Sequence, residues 1–217
     1  YIPEAYGGMG MGPVEGMVVM QALGHGLVLE PMAHTLLAGA VLNAWAPDAV
    51  KTAWLERIAN GQALVVLAHQ ERAARYRLDL CATLASSNNQ GGWHLSGSKS
   101  VVPVGDVADA FLVPAIAHGR QALFLVERVA PGVSTRGYGT QDGSRAAELQ
   151  ITNAPATLVT KDGLAALEHA VDIGLAAACA EAVGVMDRTL AITVDYMNTR
   201  KQFGVAISSF QALRHRV

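Results

Sequence analysis

Residues 196–211 read YMNTRKQFGVAISSFQ, and this stretch decides which fold the chain is expected to have. Arg200 and Lys201 close a long run of helical pattern, and Gly204 stands just beyond them. Basic side chains near the C-terminus of a helix complement its dipole, and glycine is a common residue after the last turn. These rules explain three positions. They do not explain the complete spacing Y-x-x-x-R-x-Q-F-G-x-x-I-x-x-F-Q.

The segment before this stretch predicts one very long helix. Residues 163–201 contain no proline, and apolar side chains recur three or four positions apart, at Leu164, Leu167, Val171, Leu175 and Ala178. This spacing places them on one helical face. A helix of about 40 residues is expected to pack against other long helices, in a bundle or across a subunit interface. Phe203 and Gly204 are expected to end it, and another helix is expected from residue 207.

The middle of the chain changes to strand-like patterns separated by turn residues. The strand-like segments are ALVVLAHQE (63–71), DLCATLASS (79–87), GWHLSGSKSVV (92–102), ADAFLVPAI (108–116), ALFLVERV (122–129) and AELQITN (147–153). The turn-like segments are NNQGG, PVGD, HGR, APGV and QDGSR. Short strands at regular spacing predict a small antiparallel barrel or sandwich, here over residues 62–160.

The N-terminal region has a helical pattern. Pro13 suits the first position of a helix that continues through VEGMVVMQALGHG and stops near Gly24 or Gly26. Further helices are expected at 34–45 and 47–58. The glycine-rich run at 3–12 does not fit G-x-G-x-x-G and is expected to be a structural loop. The chain therefore divides into a helical region (1–61), a β-domain (62–160) and a second helical region (161–217).

Composition narrows the range of functions. The residues are 51% hydrophobic and 16% charged, which suits a packed core. A net charge of −2 gives no electrostatic reason to expect nucleic acid or an anionic membrane. Residues 173–186 are nearly all apolar, but Glu181 interrupts them, so we expect a buried core helix rather than a membrane span. Cys81 and Cys179 are expected to be buried free thiols in a reducing cytoplasm.

The order of helices, strands and long helices, together with the motif at 196–211, resembles the acyl-CoA dehydrogenase family. The resemblance covers nearly the whole chain. It implies an α+β fold with N-terminal helices, a middle antiparallel β-barrel or sandwich and a C-terminal bundle of long helices. Because the chain opens at YIPEAYGG and stops at HRV, we expect it to be truncated at both ends relative to that fold.

The resemblance implies FAD as the cofactor and assigns roles to the motif. Arg200 is expected to reach across a subunit interface to the FAD pyrophosphate, because a planar guanidinium binds phosphate oxygens well. Gln202 is expected to add a polar contact and Phe203 to pack by the flavin or adenine. Gln211 is expected to lie near the adenosine end.

Two other segments depart from the family pattern. Where relatives carry T-E-P-G-A-G-S-D against the flavin, this chain has QERAARYR at 70–77, which keeps Glu71 and adds three arginines. His69 and Gln70 stand at the strand end that is expected to face the flavin. The arginines are expected either to bind phosphate, from FAD or CoA, or to form a solvated basic turn. In the segment that resembles N-G-x-K-x-W-I-T-N-G, Gly97 and Lys99 match, while Val101 and Pro103 replace the flavin-facing tryptophan and threonine.

The catalytic base is not identified by the sequence. Most relatives use a glutamate far toward the C-terminus, and a minority place the base on the long helix, at the position of Gly174. Asp172 stands where relatives contact the acyl-CoA, so it is either a substrate ligand or a solvated carboxylate. Asp142 and Arg145 are read as a surface ion pair in the turn QDGSR.

Within the family, the segments YGTQDGSRAA, AEAVGVMDRTL and TRKQFG resemble the small subunit of pimeloyl-CoA dehydrogenase. The resemblance implies an FAD-dependent subunit that desaturates an acyl-CoA thioester at Cα–Cβ. It also implies electron-transfer flavoprotein as the acceptor and a homo- or hetero-oligomer, dimeric or tetrameric. One alternative is a non-catalytic partner that completes the flavin site of a large subunit. Another is an acyl-CoA oxidase or flavin monooxygenase on the same fold.

Overall fold

A computed structural model describes residues 1–87 and 91–217. Three helices form the N-terminal region: α1 (Pro13–Gly26), α2 (Met32–Trp45) and α3 (Asp48–Ala59). Pro13 occupies the first turn of α1, and the Glu15 carboxylate accepts a hydrogen bond from the Gly12 amide at 2.9 Å, which caps the helix. α1 ends at Gly26, with Leu27 in the left-handed conformation.

In the described part of the β-domain, seven strands follow: β1 (Val65–Leu67), β2 (Leu84–Ser87), β3 (Trp93–Pro103), β4 (Ala110–Ala117), β5 (Arg120–Glu127), β6 (Val133–Gly139) and β7 (Arg145–Thr160). The order β4-β2-β3-β7-β5 returns to β4, so five strands close a barrel, while β1 extends the edge of β4 and β6 pairs with β7. A barrel is confirmed. The pairings of β4 with β1 and β2 are parallel. β6 was not among the predicted strands, and its first residue, Val133, was assigned to a turn. The predicted turn NNQGG lies partly outside the described residues.

Alternating residues of β4 and β5 belong to two separate cores. Phe111 and Phe124 point into the barrel, where they pack with residues of β3 and β7. Leu112 and Leu123 point outward and pack with α2, α3 and the start of the next helix. Because both faces of these strands are buried, the strands read as continuous apolar runs rather than as alternating ones.

α4 (Gly163–Thr199) is the long helix that the sequence predicted. Of the five residues expected to share one helical face, Leu167 is buried and Val171 partly buried, whereas Leu164, Leu175 and Ala178 are exposed. The buried residues of α4 are Gly163, Ala166, Leu167, Ala170, Ile173, Ala177, Gly184 and Met197, and five of these eight are alanine or glycine. Small side chains allow α1 and the barrel to approach closely, so residue size marks this face better than hydrophobicity does.

The outward side of α4 is apolar and uncovered. Leu175, Val183, Met186, Leu190 and Val194 are each 40–60% exposed. The expectation of a buried core helix at 173–186 is therefore wrong for this chain. By length and composition α4 is apolar enough to cross a membrane, and 22% of its most apolar window is buried. One such helix is weak evidence for a membrane span.

The end of α4 differs from the expectation. The helix stops at Thr199, and a small hairpin follows, formed by β8 (Lys201–Gln202) and β9 (Val205–Ala206). Phe203 and Gly204 have positive φ and form its turn, so they do not end the helix. A 3₁₀ turn and the short α5 (Gln211–Arg214) complete the chain. Both cysteines are free, but Cys81 is half-buried and Cys179 exposed, which corrects the expectation of burial.

Candidate functional site

A β-bulge brings two of the predicted cofactor-facing segments together. Between Lys99 and Val102 the register of β3 against β7 shifts by one residue, which leaves an extra residue at Ser100 and Val101. The Ser100 amide turns away from β7 and donates a hydrogen bond to the Gln70 carbonyl at 2.9 Å. The bulge therefore joins β3 to the segment that follows β1.

We call residues 69–70 and 100–101 the bulge surface. His69 and Gln70 are partly exposed there, and Val101 is 49% exposed. Val101 has φ of 51°, in the left-handed region that β-branched residues rarely adopt. Such strain persists only where surrounding contacts hold it, and bulges beside active sites often redirect a side chain.

A buried ion pair lies next to the bulge surface. The Lys99 ammonium is fully buried and donates to Glu71 Oε1 at 2.7 Å and to the Pro114 carbonyl at 2.9 Å. Lys99 directly precedes Ser100, and Glu71 directly follows Gln70. The pair therefore links the two segments of the bulge surface to each other and to β4.

The Glu71 carboxylate has a complete set of hydrogen-bond donors. Besides Lys99, it accepts from the Ala82 amide at 2.7 Å, the Thr83 amide at 3.1 Å and the Thr83 hydroxyl at 2.7 Å. The Cys81 sulfur lies 3.6 Å from Glu71 Oε1 and 3.7 Å from the Lys99 ammonium. Because each charge has partners, the pair is compatible with burial.

These surroundings lower the pKa values of Glu71 and His69. Burial alone would raise the pKa of Glu71, but hydrogen bonds from Lys99 and from the Ala82 amide outweigh it and lower that pKa from 4.5 to about 2. Burial lowers the pKa of His69 below its ordinary value, and the Lys99 charge lowers it further. At pH 7 the bulge surface therefore presents a neutral imidazole beside a neutral amide.

The three arginines after Glu71 do not form one anion site. Arg72 lies 3.4 Å from Glu148, and Arg77 pairs with Asp79 two residues away. Arg75 has a left-handed backbone, and its guanidinium makes no ion pair among the described residues. Two of the three charges are thus neutralised locally.

The motif at 196–211 lies on the outside of the chain. Arg200, Gln202, Phe203 and Gln211 are exposed, and Phe203 reaches 92% exposure. The Phe203 and Phe210 rings meet edge to face with centroids 6.2 Å apart. Among the described residues, no hydrogen bond, ion pair or ring contact connects these side chains to the bulge surface. The predicted cofactor-binding residues therefore form two separate groups.

Two predicted acidic positions have simple surroundings. Asp172 is exposed on α4, and within the described residues its carboxylate makes no hydrogen bond or ion pair. The expected surface pair of Asp142 with Arg145 is wrong. Arg145 pairs with Asp106, whereas Asp142 accepts from the Thr140 hydroxyl and the Ser144 amide, which closes the turn on itself.

Solved structures share this architecture. A variant of the Tcur3481–Tcur3483 steroid ACAD superposes with a TM-score of 0.88, and the ChsE4–ChsE5 complex from Mycobacterium tuberculosis with 0.85. Each is 30% identical, and each match covers 99% of this chain and 58% of the solved chain. The fold is therefore that of the acyl-CoA dehydrogenases.

Sequence comparison agrees with the fold. The model of the acyl-CoA dehydrogenase N-terminal domain matches residues 1–62, and that of the C-terminal domain matches residues 161–217. Acyl-CoA dehydrogenase FadE27 from Mycobacterium tuberculosis is 30% identical over 99% of this chain. The chain belongs to the acyl-CoA dehydrogenase family. It spans 57% of the length of that relative.

Sequence reasoning missed the surroundings of Glu71. Lys99, Thr83 and Cys81 are distant from it in sequence, and their convergence is a tertiary feature. One signal was available. Glu71, Gly97 and Lys99 keep the family pattern in two segments where most neighbouring positions depart from it.

Proposed function

We propose that this chain is a subunit of an FAD-dependent acyl-CoA dehydrogenase that removes hydrogen from Cα and Cβ of an acyl-CoA thioester. It works in a hetero-oligomer with a second subunit of the same family, and electron-transfer flavoprotein takes up the electrons. The proposed location is the cytoplasm.

The exposed position of Arg200 is the observation that carries this proposal. The side chain stands at the end of α4, and its guanidinium makes no hydrogen bond or ion pair among the described residues. A planar guanidinium without a partner in its own chain is suited to bind the oxygens of a diphosphate. The family resemblance implies that this arginine reaches across a subunit interface, so one flavin would take Arg200 from one subunit and the bulge surface from another.

FAD, when bound, supplies the redox chemistry by accepting hydride from Cβ. The chain's own residues fit a planar ring at the bulge surface. Val101 offers an exposed apolar side chain there, and Gln70 offers amide donors and an acceptor. The neutral His69 can donate one hydrogen bond without adding charge. These side chains would bind and orient the ring and exclude water from one face.

The uncovered apolar side of α4 supports a helical partner. Apolar residues spaced three and four apart along a helix are typical of a face that packs on another helix. The sequence resemblance to the small subunit of pimeloyl-CoA dehydrogenase supports a larger partner subunit. The similar ChsE4–ChsE5 structure is itself a complex of two components.

A second function has its own support. As a non-catalytic partner subunit, this chain would place Arg200 at the flavin of a large subunit and would bind no flavin itself. The substitutions at Val101 and Pro103 favour this alternative, since neither side chain can hydrogen-bond to a flavin.

Purification of the chain alone and together with the partner subunit separates the two functions. Flavin absorbance and dye-linked oxidation of acyl-CoA are measured on both samples. If the chain alone holds FAD and oxidises acyl-CoA, the non-catalytic alternative is excluded. If neither flavin nor activity is found even in the complex, the dehydrogenase proposal fails.

Substitution of Arg200 tests its role directly. We expect Arg200→Ala to weaken FAD retention in the assembled oligomer by about tenfold or more, since charge-assisted hydrogen bonds contribute ~1.5–3 kcal/mol each. Arg200→Lys keeps the charge but not the fork and should recover only part of the affinity. Arg188→Ala, an exposed arginine elsewhere on α4, is the matched control. Equal flavin retention in Arg200→Ala and Arg188→Ala removes Arg200 from the site.

A further inference from the structure

The bulge surface is held in a conformation that its own sequence does not favour. Val101 has a left-handed backbone although it is β-branched, and Ser100 forgoes a ladder hydrogen bond with β7. A β-branched residue in this region is unfavourable by itself, so the conformation must be imposed by contacts outside the bulge.

The contacts that impose this conformation are made by Lys99 and Glu71, the two residues that adjoin the bulge surface in sequence. Lys99 is covalently joined to Ser100, and its ammonium is held by Glu71 and by the Pro114 carbonyl. Glu71 is covalently joined to Gln70 and is held in turn by the Thr83 amide and hydroxyl. With both ends fixed, the Ser100 amide meets the Gln70 carbonyl at 2.9 Å.

We propose that Glu71 and Lys99 are positioning residues whose buried ion pair holds the Ser100–Val101 bulge against Gln70 and thereby builds the face that receives the flavin ring. The identity of the ligand rests on the proposed function. The anchoring itself does not, because it concerns contacts within this chain. Neither side chain needs to touch the ligand, since Lys99 is fully buried and Glu71 nearly so.

The double variant Glu71→Gln with Lys99→Met tests the anchoring. Removing both charges avoids the isolated buried charge that either single variant would leave. Hydrogen exchange of the Ser100 amide reports directly on its bond to Gln70. We expect this exchange to accelerate about tenfold or more, as local opening becomes easier. The Ala68 amide, which donates to the Leu112 carbonyl of β4 at 2.9 Å just after the end of β1, should keep its protection.

FAD affinity is measured on the same variant in the assembled protein, and we expect a loss of about tenfold or more as the receiving face becomes mobile. Thr83→Val provides a milder version, because it removes one donor to Glu71 and leaves both charges in place. It should change both measurements in the same direction by less. Asp48→Asn with Lys51→Gln removes an ion pair on α3 between an exposed aspartate and a partly exposed lysine. This variant is the control that should change neither measurement.

Each outcome decides part of the proposal. Unchanged Ser100 exchange in the double variant and in Thr83→Val overturns the anchoring. Faster Ser100 exchange with unchanged FAD affinity overturns the claim that this face receives the flavin. If the assembled wild-type protein binds no FAD, the proposed function and the flavin part of this inference fail together. The exchange of Ser100 then still confirms or overturns the anchoring.

Discussion

The Glu71 carboxylate makes folding depend on pH in a defined window. Its pKa is about 2 in the folded chain against an ordinary value of 4.5. A lowered pKa stabilises the folded state above pH 4.5, and this contribution is lost as the pH falls toward 2. The shift corresponds to about 3 kcal/mol of unfolding free energy. We expect the wild type to lose this amount relative to Glu71→Gln/Lys99→Met in that window, as measured by urea unfolding at a series of pH values.

Comparison of the two proteins isolates Glu71, because the exposed carboxylates titrate in both. Parallel pH profiles for the wild type and the double variant between pH 4.5 and 2 contradict the prediction. A difference in unfolding free energy that is present at neutral pH and does not change on acidification would also contradict the prediction, since that pattern reflects packing rather than titration.

At the scale of residues, the sequence indicated which residues are important better than it indicated which residues contact each other. Family spacing located Glu71 and Lys99 without showing that they meet, because 28 residues separate them and the barrel must close before they pair. The placement of Arg200 and Phe203 on an exposed segment also needed the structure. The pairing of Arg145 with Asp106 rather than Asp142 was missed because proximity in sequence is a poor guide across a sheet.

At the scale of elements, the crossing of α1 and α4 depends on glycine at two positions. A Cβ atom at Gly184 would lie 2.0 Å from the Gln21 carbonyl oxygen, and one at Gly24 would lie 2.1 Å from the Glu181 carbonyl oxygen. Both neighbours are backbone atoms and cannot rotate away. The two helices therefore approach as closely as their main chains allow.

Gly184→Ala should force α1 and α4 apart where they cross. We expect a loss of about 2 kcal/mol in the free energy of unfolding, the usual cost of overpacking a tight contact. In thermal unfolding this corresponds to a decrease of about 4–8 °C for a chain of this size. Gly174→Ala is the matched control on the same helix, since its Cβ would lie an ordinary 3.5 Å from Leu37. It should gain up to about 1 kcal/mol from helix propensity. Equal effects of the two substitutions would show that the helices do not cross at Gly184.

Long elements were predicted more successfully than their faces or edges. The period and the absence of proline located α4, which ends at Thr199, four residues before the expected stop at Phe203. Its buried side was not predicted, because much of that side consists of alanine and glycine, which allow close packing but score poorly as hydrophobic residues. β6 was missed because VSTRGYG carries polar, mostly exposed side chains and two glycines, a composition typical of turns. The strand exists because β7 is long enough to pair with it beside β5.

At the scale of the whole molecule, α4 divides the chain into a covered and an uncovered side. One side packs on α1 and the barrel, and the opposite side carries the apolar stripe formed by Leu175, Val183, Met186, Leu190 and Val194. An exposed apolar stripe of this length is unusual for a chain that acts alone. The stripe also leads toward Arg200, so a helix that covers it would bring another subunit close to the motif.

Met186→Glu combined with Leu190→Glu tests whether this stripe is the contact with the partner subunit. An unpaired carboxylate in an apolar interface costs several kcal/mol, and each ~1.4 kcal/mol weakens binding tenfold. We expect affinity for the partner, measured by titration and light scattering, to fall roughly 100-fold or more. The free energy of unfolding of the isolated chain should change little, because both side chains are already exposed. Arg188→Glu, on the other side of the helix and also exposed, is the control for added negative charge. If the double variant joins the complex as tightly as Arg188→Glu does, the partner binds elsewhere, and the proposal that Arg200 serves a neighbour's flavin loses its support from α4.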